Sequence, residues 1–559
     1  MLTNELEPAG PVTSPSAFGS ASQGAGQRRA VWAWTGALLL LCLGASWLEF
    51  RHIERTMPYP RHVDEGYVAG PAQRTIETGN LHPYRFNYPS LPKYLASAGM
   101  AVGFLRAAGR LETQDVQRLG NMGYPYYDTP VVMQTARQLY AVLSIIAVAA
   151  VGFAAWVAFR QPAVILLAPL ILLLSPLFFF HSWTYLNVDL VGTCFVTLTI
   201  AACLAATRRP SWPQSVLLPA GLAGFAAGSK YTLAIVILPV FVGIGLTFVG
   251  ARRMWAWVTA LAAMAAAFVA VVPYSLLDIP GFLNGVAWEA FHYASGHRGF
   301  NEETGLPQLL FYLRHLASDF GVGAALLAVF GLAAFAARDW RRAAILAVFP
   351  AGLLWLLASQ RAHFTRNVLS LHPLFAMFAA FGLVCLYRLV LRLVASRGWV
   401  KPDRRRQAGA LACAVLAAAA LPWWNLGDHV RDRTDSRRIA EGWIDTLPRE
   451  WTVVVPKQLG FDHRRLEAAG RRVTVVDLQS AQDPGALDTL LEGLPAQAVI
   501  LVPRWGADAR YPGGEQAVAL NRLAARWRPI RSFGSHPVLV NYSFPAPWGD
   551  PAFAGAKLR

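Results

Sequence analysis

The stretch RRAVWAWTGALLLLCLGASWLEFRHIERTMPYPRHVDEGYVAG, residues 28–70, joins an apolar run to a polar loop that carries the adjacent acids Asp64 and Glu65. The apolar part, roughly 30–50, is long enough to cross a bilayer, which asks for about 20 such residues. Residues 1–29 are rich in Gly, Ser, Pro and Ala, the composition of a disordered tail. A signal peptide is the competing reading. The long polar lead-in and the lack of a small-residue cleavage site favour a first transmembrane helix. The acidic pair then falls just beyond that helix, at the membrane surface.

The rest of the chain repeats the pattern. Of 559 residues, 55% are hydrophobic, 12% aromatic and only 15% charged, where a soluble chain carries about 25% charged residues. The net charge of +17 sits largely in short clusters between apolar runs, which is how cytoplasmic loops are marked. No stacking motif or basic groove accompanies it, so nucleic acid is excluded as a partner. Cys42, Cys194, Cys203, Cys385 and Cys413 all lie inside apolar runs. They read as small buried hydrophobes, with no disulfide framework.

Further spans are expected at roughly 132–158, 162–181, 188–206, 214–229, 231–250, 255–273, 320–337, 343–358, 368–392 and 408–424, eleven with the first. With the N-terminus cytoplasmic, Arg160, Arg208–Arg209, Arg252–Arg253, the group Arg338, Arg341 and Arg342, and the run KPDRRR at 401–406 all fall inside. The weakest boundary is Gly228–Ser229–Lys230–Tyr231, where two short spans read equally as one long one. The fold class is therefore a mainly α polytopic membrane protein. Residues 30–424 form its membrane domain, with exported loops at 51–131 and 274–319. Residues 425–559 alternate strand-like runs (WTVVV, RVTVVDL, AVILVPR, HPVLVNYSF) with helix-like stretches (RRLEAAG, LDTLLEGL, QAVALNRLAARW), which predicts a small exported α/β domain. In the first exported loop, PYRFNYPSLPKYLASAGMAVGFLRAAG is amphipathic and predicts a helix lying in the interface.

The segment VDEGYVAGPAQRTIETGNLHPYRFNYPSLPKYL resembles the first exported loop of the GT-C glycosyltransferases. The branch is that of the phospholipid carrier-dependent enzymes, which includes protein O-mannosyltransferases and the lipid A aminoarabinose transferase. In them a DE pair follows the first helix, then a Gly-containing turn and a Pro-rich juxtamembrane segment. Here that last element is YPSLPKYL, with Pro89 and Pro92 apart rather than adjacent. Three more segments resemble the family in order: LLLSPLFFFHSWTYLNVDLVGTCFVTLTI with Asp189 at the acidic position, GFAAGSKYTLAIVILP with Lys230, and SQRAHFTRNVLSLHPLFAMFAAFG with Arg366, Asn367 and Pro373. Asn367 stands where Tyr is usual. DSRRIAEGWIDTLP resembles the start of the exported C-terminal domain.

Independently of that likeness, Lys230, Arg361 and Arg366 are cations in short connections on the exported face, against the charge bias, and Arg137 lies at the exported end of its span. Ionisable groups at such positions are costly and face a cavity or a partner, or else snorkel to the interface. A lipid-linked phosphate is a fitting partner, because Lys binds it as a point charge and Arg bidentately. Donor phosphate binding is therefore expected at Lys230, Arg366, Arg137 and Arg361. The resemblance implies inverting transfer from a polyprenyl-phosphate sugar to a lipid, protein or polysaccharide acceptor. Asp64 would be the general base, and Glu65 would orient the acceptor or a neighbouring cation. Asp189, Tyr67, His292, His297 and Lys93 are expected to position acceptor or substrate. It also implies a bacterial inner membrane, with the exported side periplasmic.

No resident cofactor is read. WEAFHYASGHRGFNEETG at 288–305 carries His292, His297, Glu289, Glu302 and Glu303, donors that suit zinc or manganese. Their spacing matches no standard zinc pattern, so acceptor contacts or ordinary surface are the expected reading and no metal is assigned, with a divalent metal as the alternative. Two other functions compete: a lipid or glycan transporter or flippase, which predicts inverted repeats and polar groups deep in mid-span, and a non-catalytic polysaccharide assembly protein. No internal repeat is seen, and the polar residues cluster at exported ends.

Overall fold

The computed structural model describes residues 17–59, 62, 64–108, 130–208, 210–297, 300–396, 405–430, 434–456, 461–476, 489, 493–494, 497–503, 527–533 and 551–557. Helix α1 spans Ala17–Thr56. It starts inside the stretch 1–29 that composition assigned to a disordered tail. Once the apolar run has nucleated a helix, each further residue adds a hydrogen bond, and Ala, Gln and Arg extend it readily. Residues 1–16 lie outside the described part. Trp32, Leu39, Leu40, Leu43 and Trp47 of α1 are exposed. Such a strip is a liability in water, but lipid tails are as apolar as leucine.

Helices α2 (Glu65–Thr78) and α3 (Ser90–Ala108) occupy the first long loop. Then come α4 (Pro130–Phe159), α5 (Val164–Leu173), α6 (Pro176–Trp183), α7 (Val188–Ala206), α8 (Leu218–Ser229), α9 (Ile237–Thr247) and α10 (Gly250–Val271). They are followed by α11 (Ile279–Ser295), α12 (Leu306–Phe320), α13 (Val322–Arg338), α14 (Trp340–Ala358), α15 (His372–Ser396) and α16 (Arg405–Ala420). Every stretch read as a span is helical. Among the described residues, six helices are long and apolar enough to cross a membrane, or up to eight if each of two bent pairs is one span. The expected eleven included three more, which correspond to the shorter helices α8, α9 and α16. At the uncertain boundary the helix does break: Lys230 is extended (φ −152°, ψ 128°) and a 3₁₀ turn, Tyr231–Val236, precedes α9.

Both bent pairs break where local chemistry restarts a helix. Ser175 is extended, its hydroxyl accepts the Phe178 N–H, and Pro176 opens α6, so an N-cap and an N1 proline begin a new helix at 76° to α5. Gly321, with φ +79°, lets α13 leave α12 at 110°, a backbone state that costs glycine little.

Small residues set how closely the helices cross. A Cβ on Gly382 of α15 would stand 2.1 Å from the Leu327 carbonyl oxygen of α13. Close backbone approach of this kind is the usual basis of helix association in lipid. Gly382→Leu must force α13 and α15 apart, and we expect it to lower the thermal stability of the detergent-purified protein by well over the ~1–3 kcal/mol typical of overpacking.

After α16 the chain forms α17 (Ser436–Ile444), β1 (Thr452–Pro456), α18 (His463–Ala468), β2 (Arg472–Val476), β3 (Ala498–Pro503), β4 (Trp527–Ser532) and β5 (Pro551–Lys557). The sheet order is β2-β1-β3-β5-β4. β1 is parallel to β2 and β3, and β5 is antiparallel to β3 and β4. The runs WTVVV, RVTVVDL and AVILVPR thus become neighbouring strands over a core that includes Ile444, Val453, Leu466 and Val499. The helix-like stretch 516–526 and the strand-like run 536–544 lie outside the described residues. This unit is tied to the end of α1. The Asp435 N–H donates to the Arg55 carbonyl at 3.2 Å, the Tyr59 hydroxyl donates to Glu441, and the Arg437 guanidinium lies 4.2 Å over the Tyr59 ring.

Candidate active site

The loop between α1 and α2 is pinned from below by an ion pair. Arg137 of α4 gives both Nε and Nη2 to the Glu65 carboxylate, at 2.8 and 2.7 Å, and a third bond to the Tyr59 carbonyl at 3.1 Å. Both side chains are fully buried. Glu65 also accepts the Leu186 N–H at 3.2 Å. Arg137, expected on donor phosphate, is thus committed to Glu65 and shut away from any ligand. Glu65 holds a cation, one of its two expected roles, and it is not exposed to orient an acceptor.

Asp64 faces the other way. It stands at the N-cap of α2 but makes no side-chain cap bond. Its carboxylate meets Arg366 Nη2 at 2.8 Å and accepts the Tyr88 hydroxyl at 3.2 Å. Its own N–H donates to His62 Nδ1 at 3.1 Å. Burial pushes His62 down to about 4 although Asp64 lies beside it, so the ring is neutral at neutral pH and its Nδ1 accepts that bond. Burial alone would raise Asp64. Arg366, His62, Tyr88 and Lys230 together outweigh it and hold the carboxyl below its usual value.

Asp189 completes the cluster from the first turn of α7. Its N–H bonds the Asn187 side chain at 2.7 Å. Lys230 Nζ reaches Asp189 at 2.6 Å and Asn367 Oδ1 at 2.8 Å, and Arg366 Nε lies 3.6 Å from the second Asp189 oxygen. The helix break at Lys230 makes this contact, because an extended residue between α8 and the 3₁₀ turn points across to α7. Asn367 also accepts from Tyr293 at 3.2 Å and donates to Tyr312 at 3.3 Å. The Arg366 guanidinium sits 4.4 Å over the Phe364 ring, so its face packs on an aromatic while its edge serves two carboxylates.

Four residues that the sequence placed far apart, Asp64, Asp189, Lys230 and Arg366, therefore meet in one cluster, in which Asp189, Lys230 and Arg366 are buried and Asp64 is partly exposed. The charges balance: two carboxylates face two cations. Glu289 of α11 lies within their electrostatic reach. Burial pushes its carboxyl up to about 7, against the pull of Lys230 and Arg366.

The other expected site residues lie elsewhere or at the rim. Lys93 is buried and spent on the carbonyls of Arg85 and Tyr88, so it braces the turn before α3 and is not offered to a substrate. Arg361 is exposed; its backbone pairs with Tyr293 and Glu302. Tyr67 is exposed and meets Tyr88 edge-on with centroids 6.4 Å apart. His292 stacks on Trp288 at 5.3 Å, and His297 packs edge-on to Phe364 at 5.5 Å. Tyr88, Tyr293 and Tyr312 were not singled out from sequence, and Glu289 stood there only among the candidate metal donors of 288–305. No pattern marks them, since each is brought in by its element's packing.

No family profile matches the sequence, and no curated protein matches it. Among solved structures the chain is similar to ArnT from Cupriavidus metallidurans in the apo state, with 13% identity over 95% of this chain and 98% of that one, at a TM-score of 0.50. ArnT bound to undecaprenyl phosphate gives 13% identity over 94% and 98%, at 0.47. The apo oligosaccharyltransferase of Archaeoglobus fulgidus gives 11% identity over 91% and 75%, at 0.46. The fold is that of the GT-C membrane glycosyltransferases.

Proposed function

We propose that the protein is an inverting glycosyltransferase. It would move a sugar from a polyprenyl-phosphate carrier to an acceptor at the exported face of a bacterial inner membrane, with the N-terminus cytoplasmic and the C-terminal α/β unit periplasmic. The observation that carries this reading is the 2.8 Å contact of Asp64 with Arg366 inside a charge-balanced cluster that also holds Lys230. ArnT, which has this fold, has been captured with undecaprenyl phosphate, and a lipid-linked donor suits the cations here.

The charge balance supplies a mechanism. A carboxylate held low by Arg366 is a weak base, whereas an efficient base has a pKa near the working pH. When an anionic donor phosphate engages Arg366 and Lys230, those cations are shared with a third anion. Asp64 then loses part of its counter-charge, and its affinity for a proton rises where the acceptor hydroxyl or amine must lose one. The same cations stabilise the departing phosphate, so no separate acid is required. Asp189 keeps Lys230 and Arg366 apart and aimed. Tyr88 orients the Asp64 oxygen.

The direct test is transfer from a synthetic polyprenyl-phosphate sugar by the detergent-purified protein, with glycan mass spectrometry of cells with and without the gene to identify the product. A second expectation concerns pH. Glu289 is neutral below about 7 and adds a negative charge beside Lys230 and Arg366 above it. The KM for donor should therefore rise as pH climbs from 6 to 8, and Glu289→Gln should flatten that rise without changing the low-pH KM. A wild-type KM that does not vary across this range removes Glu289 from the donor site.

A further inference from the structure

Away from the Asp64 cluster, one group of side chains has no place in the transfer chemistry. His315 and Asp319 lie one turn apart on α12, and His372 opens α15. All three are buried, and their candidate ligand atoms lie within 4.8 Å of one another. We propose that His315, Asp319 and His372 form a binding site for a single divalent transition-metal ion, of the zinc or manganese type, inside the helical core.

Four observations support it. Two imidazoles and one carboxylate drawn from two helices are a donor set that suits zinc, manganese or iron. Two ligand atoms on one zinc ion stand roughly 3.3 Å apart for bonds of about 2.0–2.1 Å, so small side-chain rotations from the present spacing complete the triangle. The outer shell is already in place. His372 Nδ1 faces the Val368 carbonyl at 3.0 Å, which leaves Nε2 directed at Asp319 at 3.2 Å. Asp319 is steadied in turn by the Leu177 N–H at 3.1 Å and by the Ser175 hydroxyl, the arrangement that orients metal ligands. Finally, His181 of α6 is fully buried, neither of its ring nitrogens has a hydrogen-bond partner among the described residues, and it feels the charges of His315 and His372. One imidazolium would suffice to neutralise Asp319. A second buried imidazole, His315, beside the same carboxylate, with the unpartnered His181 close to both histidines, is better explained by a cation held between His315, Asp319 and His372.

The site's location gives the ion a purpose. Ser175 marks the 76° break between α5 and α6, and Asp319 stands two residues before the 110° break at Gly321. An ion here would staple both bends to the start of α15, and hence to the 3₁₀ turn Thr365–Leu371 that carries Arg366.

The test uses the full chain, purified in detergent through a tag without histidine, stripped with chelator and reloaded with Zn²⁺, Mn²⁺ or Co²⁺ alone. We expect about one tightly held ion per chain by elemental analysis, a visible absorption band with Co²⁺, and a rise of several degrees in Tm on loading. His315→Ala should lose the ion and the Tm rise, while the double variant His292→Ala, His297→Ala keeps both. Wild-type protein that retains less than ~0.1 ion per chain after reloading overturns the proposal whatever the variants do. So does a His315→Ala protein that binds metal like wild type, or loss of metal only in the His292, His297 variant. None of these outcomes bears on Asp64, so the site and the proposed transfer reaction stand or fall separately.

Discussion

Asp64→Asn is expected to reduce kcat for glycosyl transfer by roughly 10²–10⁴-fold, the usual contribution of a positioned general base. The substitution keeps the volume and an oxygen for the Tyr88 hydroxyl at 3.2 Å, but it cannot take a proton. It also removes the counter-ion that meets Arg366 at 2.8 Å. Arg366 and Lys230 then face Asp189 alone, with a net positive charge, and an anionic donor should bind at least as tightly as to wild type. The signature is therefore a collapse in kcat with donor KM unchanged or lower. A purely structural role would raise KM or destabilise the protein instead. Near-normal transfer by a folded, membrane-inserted Asp64→Asn protein would sink the base assignment.

Breaking the Glu65–Arg137 pair should cost stability more than chemistry. Both partners are fully buried and joined by two bonds of 2.7 and 2.8 Å. Removing one partner of such a pair leaves an uncompensated buried charge and typically costs about 3–5 kcal/mol. Arg137→Met should therefore abolish accumulation of folded protein or lower its Tm sharply. The double variant Glu65→Met, Arg137→Met should recover much of the loss, because no charge then remains unpaired. Arg137 also holds the Tyr59 carbonyl at 3.1 Å, and Tyr59 in turn contacts Arg437 and Glu441, so the C-terminal unit should loosen with it. A Glu65→Gln protein of unchanged Tm that loses only transfer activity would restore Glu65 to the chemistry.

The division between those two acids was not legible in the sequence. Neighbours in a turn point to different sides, and DE reads the same whichever residue faces inward. The cations show the same difficulty. Lys230, Arg366, Arg137 and Arg361 were equivalent as isolated positive charges near exported ends. Three of them proved to have carboxylate partners more than thirty residues away, and those partners decide which cation is shut in and which faces a ligand. The metal-type donor set was missed for a related reason. His315 and Asp319 are spaced i, i+4, but the third donor, His372, comes from another helix.

What the sequence determined by itself was the class of fold. Apolar runs must cover their backbone polar groups as helices in lipid, so composition and run length predicted the helical stretches, and the alternation of strand and helix after residue 425 predicted the sheet. The break at Lys230 was legible as an uncertain span boundary, and Asp189 only through the family resemblance. Only the tertiary structure decided how Asp64 and Glu65, at the start of α2, are divided between site and scaffold, and how Asp64, Asp189, Lys230 and Arg366 balance one another. The physical reason is range. Burying an apolar helix is set by its own residues, whereas the state of a charge in a buried site is set by whatever other charges the packing of distant helices brings within a few ångströms.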